Sequence, residues 1–215
     1  SLGVDRLRIT GGEPLLRQNL PSLIEQLAAR RNLRDLALTT NAVKLASQAS
    51  VLRAAGLHRV TISLDTLQPK RFFDLTKFDV HKSVLAGIDA AINAGFQNIK
   101  LDTVVIRGVN DDELIALLEY AKRLGVEIRF IEYMDVGGAT QWSNASVVSR
   151  KEMLTSIGDH FGSLTPVHAQ TAAPADRFKL PDGTIFGVIS STTQPFCRSC
   201  DRSRLTADGL WYLCL

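Results

Sequence analysis

"DLALTTNAVKLASQASVLRAAGLHRVTISL", residues 35–64, holds one full repeat of an alternating pattern. Residues 35–40 are an apolar run ending in two threonines, the composition of a buried strand. Residues 44–55 space their apolar side chains as a helix does, and Gly56 closes that stretch. Residues 59–64, "RVTISL", form a second strand. Two strands joined through a helix pair in parallel, because an antiparallel pair needs only a tight turn.

The same unit recurs on both sides. Residues 4–10, "VDRLRIT", predict a strand, and residues 19–31 an amphipathic helix. Downstream, residues 70–75 and 82–94 predict helices, the second ended by Gly95. A strand over 98–106 leads to a helix over 111–124 with Gly125 as its cap, then to a strand over 126–134. Five strands in this alternation give an α/β fold, either part of a (β/α) barrel or a doubly wound sheet. After Met134 the pattern changes. "DVGGATQWSNASVVSR" reads as a loop, residues 150–160 as a helix, and "PADRFKL" and "GTIFGVIS" as short strands around the turn "PDG" at 181–183. The expected organisation is a barrel part over 1–135 and an extension over 136–215.

The chain has 215 residues, enough for a sizeable core. Its 45% hydrophobic and 22% charged residues are those of a globular protein and exclude a disordered one. A net charge of +3 is too small for a general nucleic-acid binder. No apolar run approaches the roughly 20 residues that cross a bilayer, and no signal-peptide pattern opens the chain. An odd three cysteines, two in CxxC spacing, favour metal binding in a reducing, cytoplasmic compartment over disulfides.

Charge appears where parallel strands should be apolar. Arg6 and Arg8 alternate with Leu7 and Ile9, Lys100 and Asp102 flank Leu101, and Arg129 interrupts "EIRFIE". Internal ion pairing accounts for any one of these. Four cations on three strands of one interior are better explained by an anionic ligand, because uncompensated buried cations cost several kcal/mol each. A phosphate-rich substrate fits best. The turn "TGGEPLLR", residues 10–17, lets a ligand approach its backbone at Gly11 and Gly12, and Glu13 adds an acceptor. Thr39, Ser63 and Glu132 gather where strands end, the rim on which α/β barrels build sites. His58, His81, His160 and His168 have no ligand spacing and read as surface or cap residues.

All three cysteines lie in "FCRSCDRSRLTADGLWYLCL", residues 196–215. The spacing C-x2-C-x13-C, with no histidine inside the run, suits an iron–sulfur cluster held by three thiolates, with one iron left open for a small molecule. A zinc ion with three protein ligands and a water is the rival. Arg202 and Arg204 lie just past Cys200 and could bond a ligand at the metal or its phosphates.

"RLRITGGEPLLR", "LTTNA", "AGLHRVTISLDTL", "IKLDTVVIRGVNDDE", "EIRFIEYM" and the cysteine run together resemble the GTP 3′,8-cyclase family of radical SAM enzymes, which performs the first step of molybdenum cofactor synthesis. The resemblance implies a partial TIM-type barrel with a C-terminal extension carrying an iron–sulfur site. It implies that a first 4Fe–4S cluster, held by a CxxxCxxC loop, cleaves S-adenosylmethionine, and that the radical formed starts the joining of a GTP ribose carbon to C8 of guanine. On that basis Cys197, Cys200 and Cys214 match the ligands of a second 4Fe–4S cluster. Arg8, Thr39, Lys100, Arg202, Ser203 and Arg204 match GTP contacts, with Arg6 and Arg129 as further neighbours. Gly12, Ser63 and Met134 match S-adenosylmethionine contacts, and Gly11 and Glu13 belong to the same motif. GTP, S-adenosylmethionine and an electron donor are the partners implied, with no nucleic acid and no membrane, and a homodimer is admitted.

The chain departs from that pattern in four places. It opens at Ser1 without the CxxxCxxC loop and the first barrel strand, and it lacks the family's glycine-rich tail. Ala42 stands where the family usually has Gly, and Asp102 where Asn is frequent. The expectation is that this stretch alone cannot cleave S-adenosylmethionine. Another radical SAM enzyme with an auxiliary cluster, or a zinc-stabilised nucleotide-binding module, are the alternatives.

Overall fold

A computed structural model describes residues 3–135, 142–167, 173–195 and 200–213. The chain forms two compact units, Ser1–Asp102 and Thr103–Leu215. The boundary falls inside the strand Lys100–Val105.

In the first unit, β1 (Arg6–Ile9), β2 (Asp35–Thr40), β3 (Arg59–Ser63) and the start of β4 (Lys100–Val105) pair in parallel in chain order. The expected strand over 35–40 is found to the residue, and its neighbours are shorter than expected by one to three residues. Helices α1 (Leu20–Ala28), α2 (Ala49–Ala54), α3 (Pro69–Thr76) and α4 (His81–Asn93) connect them. Leu20, Ile24, Leu36, Leu38, Leu45, Leu52, Ile62 and Ile88 are fully buried and make the apolar core between helices and sheet. Asp35 and Arg59 close the lower end of that sheet as a two-bond ion pair, which holds the Asp35 carboxyl below its ordinary range through the Arg59 bonds.

The single helix expected over 44–55 is broken. A 3-10 turn at Leu45–Ser47 precedes α2, and the Ser47 hydroxyl donates to the Lys44 carbonyl at 3.1 Å. Gln48 sits at the joint and donates its side-chain amide to the Leu15 carbonyl at 3.2 Å. Helix α4 packs closely on the residues just before that joint: a Cβ placed at Gly87 would lie 2.4 Å from the Ala42 carbonyl oxygen and 3.2 Å from Leu45 Cβ. His81 also corrects the surface reading of the histidines. It is buried, its Nε2 donates to the Thr66 carbonyl at 3.2 Å, and its ring lies 5.2 Å from that of Phe72. His58 and His160 are exposed, as expected, and His168 lies outside the described residues.

In the second unit, α5 (Leu114–Leu124) ends at Gly125, which takes φ 67° as a helix-closing glycine does. Strand β5 (Glu127–Glu132) follows. Helix α6 (Arg150–Phe161) starts on a full capping box, in which Ser149 and Glu152 bond each other's backbone N–H. Strands β6 (Thr165–Val167), β7 (Asp176–Lys179) and β8 (Ile185–Ile189) extend the same sheet from β5, with β8 parallel to β5, β7 antiparallel to β8 and β6 antiparallel to β7. The expected pair of strands around residues 181–183 is there. Strand β6 and the two-residue strands β9 (Arg204–Leu205) and β10 (Trp211–Tyr212) were not legible in advance, being too short to show a period. No described helix is long and apolar enough to cross a membrane.

Candidate functional site

Register brings the expected polar residues of the first unit onto one face. Thr39 of β2 pairs with Thr61 of β3, and Thr61 with Lys100 of β4, so the three side chains lie side by side. Arg8 of β1 reaches across them. Its Nη1 donates to Thr39 Oγ1 at 2.7 Å and to Thr61 Oγ1 at 3.1 Å. Thr39 and Lys100 thus flank Thr61 in register, and Arg8, whose own register partner is Ala37, joins them through its side chain. Arg6, two residues earlier, is exposed on the same strand face. Thr61 was not among the expected site residues. The alternation of Thr61 and Ser63 in "RVTISL" was the signal that could have found it.

The turn after β1 is held by Glu13. Its carboxylate accepts from the Thr40 hydroxyl at 2.6 Å, the Asn41 N–H at 2.9 Å and the Leu15 N–H at 3.0 Å. These bonds clamp the turn to the end of β2. Gly11 takes φ 122°, and a Cβ at Gly11 or Gly12 would meet no atom within 4 Å. The two glycines thus present bare backbone with space around it, the condition for close ligand approach. Ser63 is exposed at the end of β3, in register with Asp102.

In the second unit, Arg129 Nε donates to Glu127 Oε1 at 2.8 Å, and Arg177 lies 3.1 Å from Glu127 Oε2. One carboxylate joins both guanidiniums, so the internal pairing weighed for strand cations holds at Arg129. Glu132 closes β5 fully buried. It accepts from Arg150 N–H at 2.7 Å, Thr192 N–H at 2.9 Å, and both the N–H and the hydroxyl of Thr193, at 2.7 and 2.5 Å. Burial pushes this carboxyl up, but the bonds from Thr193, Arg150 and Thr192 outweigh it and leave the group below its ordinary value. Met134, two residues on, is exposed.

Of the three cysteines, Cys200 is described, and Cys197 and Cys214 lie outside the described residues. Cys200 is exposed, and the Arg202 N–H, followed by the Arg202 guanidinium, holds its thiol below the ordinary range. That favours the thiolate, the form that binds a metal, so this donor fits an iron–sulfur or zinc ligand. Among the described residues no three His, Cys, Asp or Glu side chains gather into a metal site. Arg202, Ser203 and Arg204 are exposed, with Arg204 on β9 opposite Tyr212.

Comparison with known proteins places these features in context. Residues 1–121 match the model of the radical SAM superfamily, and residues 126–215 match "Molybdenum Cofactor Synthesis C". The chain is 53% identical over 219 residues to "GTP 3',8-cyclase 3" of Mycobacterium tuberculosis, covering 100% of this chain and 58% of that protein. It is 50% identical to "GTP 3',8-cyclase" of Acidothermus cellulolyticus, over 99% of this chain and 59% of the relative. The corresponding figures for the Xanthomonas campestris protein of the same name are 45%, 100% and 64%. The chain thus spans about three fifths of the length of these relatives. Among solved structures, coproporphyrinogen III oxidase of Escherichia coli, described as a radical SAM enzyme, superposes with a TM-score of 0.59 at 15% identity, over 83% of this chain and 44% of that one. TYW1 with a lysine-pyruvate adduct bound gives a TM-score of 0.57 at 19% identity, over 84% and 55%. Those likenesses support the fold, a partial TIM-type barrel in place of the doubly wound alternative.

Proposed function

The chain belongs to the radical SAM superfamily, and from that premise we propose that it is the substrate-binding part of a GTP 3′,8-cyclase acting in molybdenum cofactor biosynthesis. The observation that carries the reading is the row of Arg8, Thr39, Thr61 and Lys100 on adjacent parallel strands. Two cations and two hydroxyls on one strand face suit a polyphosphate, and the relatives named GTP 3',8-cyclase support GTP as that ligand.

In this reading Arg8, Thr39 and Lys100 bind and orient GTP, with Arg6 and Arg129 as further candidate GTP contacts. Arg129 contributes least, because Glu127 already offsets it. Gly11, Gly12 and Glu13 form the backbone cradle for S-adenosylmethionine, with Ser63 and Met134 as further contacts. Cys197, Cys200 and Cys214 would hold a second 4Fe–4S cluster, and Arg202, Ser203 and Arg204 would bind GTP beside it. A first cluster, when bound in the whole enzyme, supplies the electron that cleaves S-adenosylmethionine. The proposed division is a barrel part over 1–135 and an extension over 136–215. The whole enzyme would work in the cytoplasm, take its electron from a separate donor and admit a homodimer.

The test is anaerobic reconstitution of the full-length enzyme, followed by iron and sulfide analysis and by identification of the product formed from GTP and S-adenosylmethionine. Two clusters and 3′,8-cyclo-7,8-dihydroguanosine 5′-triphosphate are expected. Retained zinc with no cluster absorption would establish a nucleotide-binding module instead, and a radical product from another substrate would assign a different radical SAM reaction.

A further inference from the structure

We propose that Thr61 is a positioning residue for the phosphate end of the substrate, acting through Arg8. The inference rests on the assignment of Arg8 to GTP given above.

Thr61 is 1% exposed, in the middle of β3 between Val60 and Ile62, which are also buried. A buried hydroxyl among aliphatic side chains is unfavourable unless it is bonded. Here it accepts from Arg8, whose side chain starts on the neighbouring but one strand and is exposed. The guanidinium is therefore drawn down onto the sheet by a group that no solvent reaches.

Geometry makes this more than a packing detail. Arg8 Nη1 carries two N–H groups, and both are committed, one to Thr39 on β2 and one to Thr61 on β3. Two anchors on two different strands set both the place of Nη1 and the plane of the fork. Loss of the Thr61 hydroxyl would remove one of these two anchors. A fork already fixed in orientation surrenders less rotamer entropy on binding. Thr61 is also the lateral neighbour of Lys100, so its hydroxyl anchors Arg8 toward the second cation of the row. Thr39 is half exposed and matches a substrate contact itself, whereas Thr61 is too buried to touch substrate. Its role can only be exerted through Arg8.

The experiment measures equilibrium binding of GTP and of guanosine to the reconstituted full-length enzyme in four variants: Thr61→Val, Thr61→Ser, Arg8→Ala and the double variant Thr61→Val/Arg8→Ala. Valine keeps the shape and removes the acceptor, and serine keeps the acceptor. Thr61→Val is expected to weaken GTP binding by about three- to tenfold, in the range of one partly exposed bond to a charged group. Thr61→Ser restores it, guanosine binding is unchanged, and Thr61→Val adds nothing once Arg8 is Ala. Thermal unfolding of each variant reports folding separately. If Arg8→Ala weakens GTP binding and Thr61→Val does not, or if its loss persists in the Arg8→Ala background, the positioning role is overturned and the GTP assignment stands. If Arg8→Ala leaves GTP binding unchanged, the assignment of Arg8 fails and the proposal falls with it.

Discussion

Thr193 bonds Glu132 twice, through its backbone N–H at 2.7 Å and its hydroxyl at 2.5 Å. The carboxylate also takes the Arg150 and Thr192 N–H groups, so the end of β5, the start of α6 and the stretch after β8 meet on one buried anion.

Replacing Glu132 with Ala strands three backbone donors and should cost about 3 kcal/mol, whereas Gln keeps one acceptor and should cost about 1–2 kcal/mol. Urea unfolding followed by tryptophan fluorescence reads the difference, since the Trp142 indole N–H bonds the Tyr133 carbonyl beside the site at 3.3 Å. The pH dependence has a definite sign. A carboxyl held below its ordinary value of 4.5 contributes stability above that value and loses it as pH falls through the lower folded value. The gap between parent and Glu132→Gln should therefore be constant near neutrality and narrow in acid.

The capping box of α6 makes a second prediction. Glu152 is held at about 2 by the Ser149 hydroxyl, the Ser149 N–H and Arg107. Ser149→Ala should lower stability by about 1 kcal/mol. It should also move the Glu152 carboxyl upward toward 4.5, as read by an NMR titration of its side-chain carbon. An unmoved Glu152 would mean that the Ser149 backbone N–H and Arg107 set it without the hydroxyl.

Gly87 and Ala42 predict opposite tolerances. Gly87→Ala places a methyl 2.4 Å from the Ala42 carbonyl oxygen, so backbone must move, at a cost of about 3 kcal/mol. Ala42 stands at φ 61°. Ala42→Gly relieves about 1–2 kcal/mol of left-handed strain, and gives up about 0.8 kcal/mol of buried methyl together with some backbone entropy. Its net effect should be within about 0.5 kcal/mol of zero by the same terms. Thermal unfolding of both variants checks the pair.

Arg202→Ala and Arg204→Ala together should weaken GTP binding and leave the iron and sulfide content of the reconstituted enzyme unchanged. Loss of iron in that variant would make the arginines structural supports of the cysteine run.

Much of this was legible in the sequence because it rests on short-range patterns. The β2–α–β3 repeat declares itself through apolar runs and a closing glycine, and strand alternation already put Arg6 with Arg8 and Lys100 with Asp102. What could not be read depends on partners far along the chain. The joint at Gln48 is bonded to Leu15, more than thirty residues away, and the anchoring of Arg8 by Thr61 needs the strand order. The burial of His81 against Phe72 is likewise a tertiary fact. Strands β9 and β10 are two residues each, below the length at which alternation exists as a pattern.

Those two strands have one more consequence, in the order of assembly. The turn between them is closed locally: Thr206 N–H donates to the Leu210 carbonyl at 2.9 Å, and Leu210 N–H returns to the Thr206 hydroxyl at 3.0 Å. A hairpin of this span forms in about 1–10 μs, long before slower events of assembly. It is also marginal alone, with Leu205, Trp211 and Tyr212 exposed. Arg204 therefore rides on a short hairpin whose closing bonds are local, and a ligand bound beside it would add to the free energy that holds it shut.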